Sequence, residues 1–269
     1  MPNPAVCLEA LSALSGCCVQ STGGPSQLSP QDFVNVVALK EFYRQEGLRQ
    51  LDYPSLGSLC LDDMYSSPPA LTAAAAASGP RVTINPADFF HAEYNYDFTR
   101  IQDGDKQFLR GNEPYIRPCG WDRAALRVLQ KYDDGNAWLG TGQDAWPVSY
   151  HGHNMDGSVI LNHSGKPSDE PQFGQVAAAS LLAGETRGRG VYSTPDIKEA
   201  EKYCKVFESK VDGKKYKVVL QNRIKPQNRK KCQRENVWLV YVPENSTDIQ
   251  ARAVVQESIR PYGLLLKQV

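Results

Sequence analysis

The sequence predicts an α+β fold, in which short apolar strands and capped helices both occur. Residues 146–152 form a strand suited to a packed sheet, and the strand ends in His151 and Gly152. A second strand contains Val191 and Tyr192 after a glycine-flanked turn, and a helix start follows it. A histidine and a tyrosine at two strand ends, each beside glycine, indicate a flat slot for a planar ring.

These residues together resemble the catalytic domain of the poly(ADP-ribose) polymerase type of ADP-ribosyltransferase. In that family a strand ends in His-Gly, a second strand carries Gly-x-Gly-[Ile/Val]-Tyr, and a further tyrosine follows on the next helix. The same order occurs here in His151-Gly152, Gly188-Arg189-Gly190-Val191-Tyr192 and Tyr203. The resemblance covers roughly residues 146–267 and implies split antiparallel sheets with flanking helices.

The resemblance also implies a reaction and the residues that perform it. NAD would be the substrate, and one ADP-ribose would pass to a protein or nucleic-acid acceptor with release of nicotinamide. His151 would hydrogen-bond a ribose hydroxyl, the Gly152 backbone would hold the nicotinamide amide, and Tyr192 and Tyr203 would sandwich the ring. The family's catalytic glutamate begins a later strand, and here Glu235 is the nearest carboxylate.

This chain departs from the family pattern at two positions. Alignment of the later strand leaves Glu235, Asn236 or Val237 at the glutamate position, and a slip of one residue decides which side chain faces the slot. Ala200 stands where many family members carry a serine that binds the nicotinamide amide. A catalytically inactive binding module of the same fold is therefore an alternative. RNA 2′-phosphotransfer on a related fold is another, supported only by the basic run at 223–231.

Composition and cysteine usage restrict the cellular setting. The 30 basic and 30 acidic residues balance, so no general field for polyanions is expected. The seven cysteines lack a Cys-x-x-Cys pair, which favours a reducing compartment, either cytoplasm or nucleus. No apolar run is long enough to span a membrane. His151, His153 and His163 lack a cysteine or carboxylate that would complete a metal site, so no metal is expected.

The chain divides, on composition, into a tail and a domain. Residues 1–80 are expected to be an N-terminal tail with one amphipathic helix at 29–47 and a disordered Ser/Pro/Ala linker, and residues 81–269 the ADP-ribosyltransferase-like domain. The helix begins with a capping pattern at Ser29-Pro30 and ends at Gly47. It is suited either to a partner or to its own domain.

The remaining elements follow from local signals. Aromatic residues at 89–108 indicate core, with a turn at Gly104-Asp105. Ala125, Val128 and Tyr132 predict a helix after Trp121. An alanine-rich helix is expected at 176–182, and a helix beginning at Thr194 carries Tyr203. A turn at Asp212-Gly213, a loop at 223–231 and two closing strands at 237–242 and 259–266 complete the prediction.

Overall fold

The computed structural model describes residues 2–45, 50–53, 57–60, 81–152, 190–204, 206–231, 236–243 and 245–269. The helices are α1 (Pro4–Ser15), α2 (Pro30–Gln45), α3 (Pro86–Phe89), α4 (Ile197–Glu201) and α5 (Asp248–Ser258), with 3-10 turns at Ala92–Tyr94, Ala137–Leu139 and Pro226–Asn228. The strands are β1 (Cys18–Ser21), β2 (Gln50–Tyr53), β3 (Gly57–Cys60), β4 (Arg81–Ile84), β5 (Tyr96–Asp97), β6 (Leu109–Arg110), β7 (Glu113–Pro114), β8 (Asp122–Ala125), β9 (Val148–Gly152), β10 (Gly190–Ser193), β11 (Val206–Glu208), β12 (Lys215–Ile224), β13 (Arg229–Lys231), β14 (Trp238–Tyr241) and β15 (Ile259–Gln268).

The largest sheet is antiparallel and is built around the long strands β12 and β15. Its order is β11-β12-β15-β8-β5, and β9 pairs with the second half of β12. A smaller antiparallel sheet has the order β10-β14-β13. A bridge between Tyr150 and Thr194 joins the end of β9 to the end of β10. Helices with two antiparallel sheets make this an α+β fold, as the sequence predicts.

The N-terminal residues belong to the main core, which differs from the predicted tail. Asn3 caps α1 by accepting a hydrogen bond from the Ala5 amide, and Gly16 ends it in the left-handed conformation. Strand β1 then pairs in parallel with β4. Almost all of α1 after its first turn is buried, because its apolar side chains surround the helix. The core therefore begins before residue 81, with a helix that the sequence analysis missed.

Helix α2 confirms a helix within the range 29–47, and Asp32 accepts hydrogen bonds from the backbone and hydroxyl of Ser29. The expected amphipathic character is not seen at residues 30–39, because all of their side chains except that of Asp32 are buried. It packs on its own chain: the Gln31 amide donates to the Ile259 carbonyl at 3.1 Å and accepts from the Tyr132 hydroxyl at 2.6 Å. Of the two alternatives, a partner or its own domain, the structure shows α2 docked on its own domain. Strands β2 and β3 form a hairpin inside the predicted linker, and 61–80 lie outside the described residues.

Residues 122–125 correct the prediction of a helix after Trp121. They form strand β8, in which Ala124 pairs with Leu264 of β15. Apolar residues in so short a segment suit either element, and the free edge of β15 decides in favour of the strand. The turn at Gly104 is confirmed, since this residue has a φ of 56° between β5 and β6.

The last third of the chain follows the predicted strands more closely. Asp212 and Gly213 lie in the turn between β11 and β12, and β14 and β15 are the two closing strands. The basic run 223–231 is not a loop: it ends β12, passes a 3-10 turn and forms β13. Helix α5 was missed, although Thr247 and Gln250 form a capping box at its start. The alanine-rich helix expected at 176–182 lies outside the described residues.

Candidate functional site

His151 lies near the end of β9, where the large sheet meets β10. Its backbone pairs with Leu220 of β12, and the residue is only 5% exposed. The ring Nδ1 lies 2.7 Å from the carbonyl oxygen of Tyr192. Because a carbonyl oxygen only accepts, Nδ1 carries the proton, and in the neutral ring Nε2 is then the acceptor nitrogen. This bond fixes both the tautomer and the orientation of the imidazole.

Tyr192 lies in the middle of β10, held between two strands. Its backbone pairs with Leu239 of β14. Two residues further along, the amides of Tyr150 and Thr194 donate to each other's carbonyls at 2.7 and 3.0 Å. Gly190 precedes it with a φ of 145°, and a Cβ there would lie 2.0 Å from the Val240 carbonyl oxygen. The second glycine of the motif is therefore required by the close approach of β14.

Gly152 brings Tyr203 against the end of β9. A Cβ on Gly152 would lie 2.7 Å from the Ala200 carbonyl oxygen and 3.2 Å from the Tyr203 Cβ. The glycine therefore serves close packing of α4 on the strand. The cap of α4 is Asp196, the last residue of the start predicted at 194–196, and it accepts from the Lys198 amide at 2.9 Å. Tyr203 follows in the turn that closes the helix, with its amide bonded to the Ala200 carbonyl.

The aromatic residues of the motif share one apolar cluster. Its members include Tyr150, Tyr192, Ile197, Ala200, Tyr203, Val237 and Leu239. The rings of Tyr192 and Tyr203 are 3% and 1% exposed. A planar ligand can enter between them only if the groups that cover them are displaced. The structure thus brings together His151, Gly152, Tyr192 and Tyr203, as the motif order predicts.

Of the three residues that the sequence leaves at the family's glutamate position, Asn236 and Val237 lie among the described residues. Val237 is 3% exposed and belongs to the cluster that contains Tyr192 and Tyr203. Asn236 precedes it with a φ of 67°, so the regular alternation of the strand stops there. Glu235 lies outside the described residues.

Glu201 fixes the end of α4 to the large sheet. Its carboxylate bonds the Lys217 ammonium at 2.9 Å and the Lys267 ammonium at 2.9 and 3.0 Å. Burial alone would raise the pKa of Glu201, but the two lysines outweigh it, and the pKa lies below its usual range. Since Tyr203 follows Glu201 by one short turn, this ion-pair network helps to position the tyrosine.

Buried polar side chains on the neighbouring strand form the part of the site region that sequence reasoning missed. Gln221 donates to the hydroxyls of Tyr115 and Tyr150 at 3.2 and 3.4 Å, and the Tyr150 hydroxyl donates to the Ile116 carbonyl at 2.6 Å. Arg223 lies two residues further along β12 and is also buried. The available signal was the polar run Gln221-Asn222-Arg223, which directly follows the apolar residues 218–220 of the strand.

No group of three histidine, cysteine or carboxylate residues that could hold a metal ion occurs within the described ranges. His153 and His163 lie outside them. In the part of the chain that the structure describes, no helix has the length and apolar character needed to cross a membrane.

Comparison with known proteins adds no relative. No family model matches this chain, and neither a curated protein nor a solved structure matches it.

Proposed function

We propose that this chain transfers a single ADP-ribose unit from NAD to a protein or nucleic-acid acceptor and releases nicotinamide. The observation that carries the proposal is the convergence of the motif residues. His151 bonds the Tyr192 backbone, and Gly152 packs directly on the turn that contains Tyr203. Residues from three separate motifs, more than 50 positions apart at the extremes, thus meet at one point of the fold.

The chemistry assigns each residue a task. NAD supplies an activated glycosidic bond, from which nicotinamide leaves with the bonding electrons while the acceptor attacks the ribose carbon and loses a proton. Tyr192 and Tyr203 would hold the leaving ring by stacking, and the Gly152 backbone would bind its amide. The Nδ1 bond to Tyr192 leaves His151 Nε2 as the nitrogen suited to a ribose hydroxyl.

Val237 bears on whether the site can add a second ADP-ribose unit to the first. In the resembled family, extension of a chain of ADP-ribose units needs the carboxylate at this position. An apolar side chain in the cluster with Tyr192 favours transfer of one unit only. Glu235 is the carboxylate that we propose to orient the acceptor as a general base.

A catalytically inactive binding module is the second candidate. The observations that favour it are the apolar Val237 in the cluster and Ala200, which is fully buried where many family members carry an amide-binding serine. Such a module would bind NAD or a related nucleotide without breaking the glycosidic bond. The two candidates differ in one measurable product, free nicotinamide.

The decisive experiment combines calorimetric titration with NAD and chromatographic detection of nicotinamide. Binding with release supports the transferase, binding without release supports the module, and the absence of binding contradicts both. His151→Ala should weaken NAD binding about tenfold, corresponding to the loss of ~1.4 kcal/mol, and His91→Ala serves as the matched control. His91 is not part of the motif, and its Nε2 lies 3.7 Å from a carboxylate oxygen of Glu93. Equal effects of the two variants on NAD binding would contradict the assignment of His151.

Tyr203 offers an independent test of stacking. Tyr203→Phe keeps the aromatic face and should retain most of the NAD affinity, whereas Tyr203→Ala should lose roughly 1 kcal/mol or more of binding. Equal losses in the two variants would mean that the ring face does not hold nicotinamide. Thermal denaturation of both variants separates this effect from loss of folding, because the ring is buried.

A further inference from the structure

Three arginines meet two tyrosines on the face of the large sheet that also carries Gln221. The Arg123 and Arg223 guanidinium carbons lie 5.6 and 5.1 Å from the ring centre of Tyr262. The Arg110 guanidinium carbon lies 4.8 Å from the ring centre of Tyr115. These five residues are called the arginine cluster below. Tyr115 belongs to the same apolar cluster as Tyr192, so the arginine cluster adjoins the candidate site.

The arginine cluster carries positive charge without a matching carboxylate. Within the described ranges, none of its guanidinium groups forms an ion pair, and their hydrogen bonds go to backbone carbonyl groups. Other arginines of this chain do have carboxylate partners, as in the pairs Arg117–Asp103, Arg229–Glu113 and Arg260–Asp134. The contrast indicates that no ion pair among the described residues neutralises the positive charge of the arginine cluster.

Arg223 is the most constrained member. It is 4% exposed, and its Nε is buried without a hydrogen-bond partner. Burial lowers the pKa of Arg223, Tyr262 partly opposes this effect, and the positive charge of Arg110 adds to it. A buried guanidinium that lacks a counter-ion and leaves one N–H unsatisfied is unfavourable in a folded chain. An anion placed beside it would relieve both costs.

The backbone makes room for Arg123 to lie across the sheet. A Cβ on Gly263 of β15 would lie 2.8 Å from the Arg123 Cδ and 3.0 Å from its Cγ. Any other residue at Gly263 would push the arginine away from Tyr262. Arg110, Arg123 and Tyr262 are partly exposed, whereas Tyr115 and Arg223 are buried beneath them. The arginine cluster is therefore open to solvent on one side and fixed on the other.

We infer that the arginine cluster binds the phosphate group of a small ligand. Guanidinium groups match the geometry of phosphate oxygens, and more than one of them is suited to a dianion. The tyrosine rings give the arginine side chains fixed positions through cation–π contacts. This site goes beyond the proposed transferase function, because phosphate binding does not require NAD and none of the five residues belongs to the motif. Free phosphate and the phosphate of a nucleotide both present charged oxygens that guanidinium groups can bind.

The test is a calorimetric titration with inorganic phosphate and, separately, with adenosine 5′-monophosphate, in chloride buffer without NAD. Arg110→Gln and Arg123→Gln should each weaken phosphate binding about tenfold, the effect of one charge-assisted hydrogen bond. Arg81→Gln is the matched control, since it removes the same charge from an exposed strand position. Both arginines of the test are partly exposed, so melting temperatures close to wild type are expected.

Each outcome decides the inference. Tighter binding of the nucleotide than of inorganic phosphate assigns the site to nucleotides, and equal binding assigns it to free phosphate; both support it. No binding of either probe by the wild-type protein overturns it. Equal loss in Arg81→Gln and the two cluster variants also overturns it, because the effect would then be one of net charge. NAD binding and nicotinamide release are measured separately, so failure here leaves the transferase proposal standing.

Discussion

A methyl group on Gly152 tests whether close packing of α4 on β9 holds Tyr203 in place. The added Cβ would lie 2.7 Å from the Ala200 carbonyl oxygen. Ordinary carbon–oxygen contacts begin near 3.3 Å, so α4 has to move away by about 0.6 Å. Crowding of this size in a packed region costs about 1–3 kcal/mol of unfolding free energy. Because Tyr203 follows α4 directly, its ring moves with the helix.

Gly152→Ala should therefore lower both stability and NAD affinity. Urea denaturation measures the first, and calorimetric titration of the folded variant measures the second, with an expected loss of about tenfold or more. Gly142→Ala is the control, because a Cβ on Gly142 meets nothing within 4 Å. It should change stability by no more than about 0.5 kcal/mol.

Two results would refute the reasoning. If Gly152→Ala and Gly142→Ala are equally stable, α4 does not pack on β9 as described. If Gly152→Ala is destabilised but binds NAD as tightly as the wild type, the position of α4 is irrelevant to the ligand. Tyr203 would then have no role in binding.

Three further predictions concern the core and its charges. Leu11→Ala should cost about 2–5 kcal/mol of unfolding free energy in urea denaturation, because Leu11 is 0% exposed. Ile249→Ala is the control and should cost little, because Ile249 is 78% exposed. Equal losses in the two variants would contradict the place of α1 in the core. Burial raises the pKa of Cys7 to about 12, so at pH 8 its thiol should resist alkylation that modifies the partly exposed Cys18, as mass spectrometry of the native protein would reveal. The lowered pKa of Glu201 means that its ion pairs stabilise the fold fully at pH values above the usual pKa of 4.5, and that this stability is lost as the pH falls through the lower pKa of the folded protein. Glu201→Gln should therefore reduce the loss of stability at acid pH, as measured by the unfolding free energy against pH. An unchanged pH dependence would contradict the ion-pair network.

The motif residues could be predicted from the sequence because their signals are local. A strand that ends in His151-Gly152 and a glycine turn before Tyr192 are each contained within a few residues. Turn residues and apolar alternation likewise located the hairpin at Asp212 and the closing strands. The resemblance implied that these residues lie close together, and the backbone bridge between Tyr150 and Thr194 brings their two strands side by side.

Local signals failed where another part of the chain decided the outcome. The apolar segment at 4–15 looked like a tail, since much of the core that receives it, including Val82 and Ile84 of β4, lies more than 60 residues away. Ala124 and Ala125 suited a helix until the edge of β15 was available for pairing. In both cases the apolar residues could be recognised in the sequence, but the strand or core on which they pack could not.

The sequence by itself determined where the strands and turns of the motif lie, because glycine flanks and strand alternation act over a single turn or strand. Only the tertiary structure decided which side chains share a surface. It places Val237 in the cluster with Tyr192, and Arg110, Arg123 and Arg223 around Tyr115 and Tyr262, which are far apart in the sequence. Register between distant strands sets these neighbours, and a shift of one residue would turn each strand side chain to the opposite face.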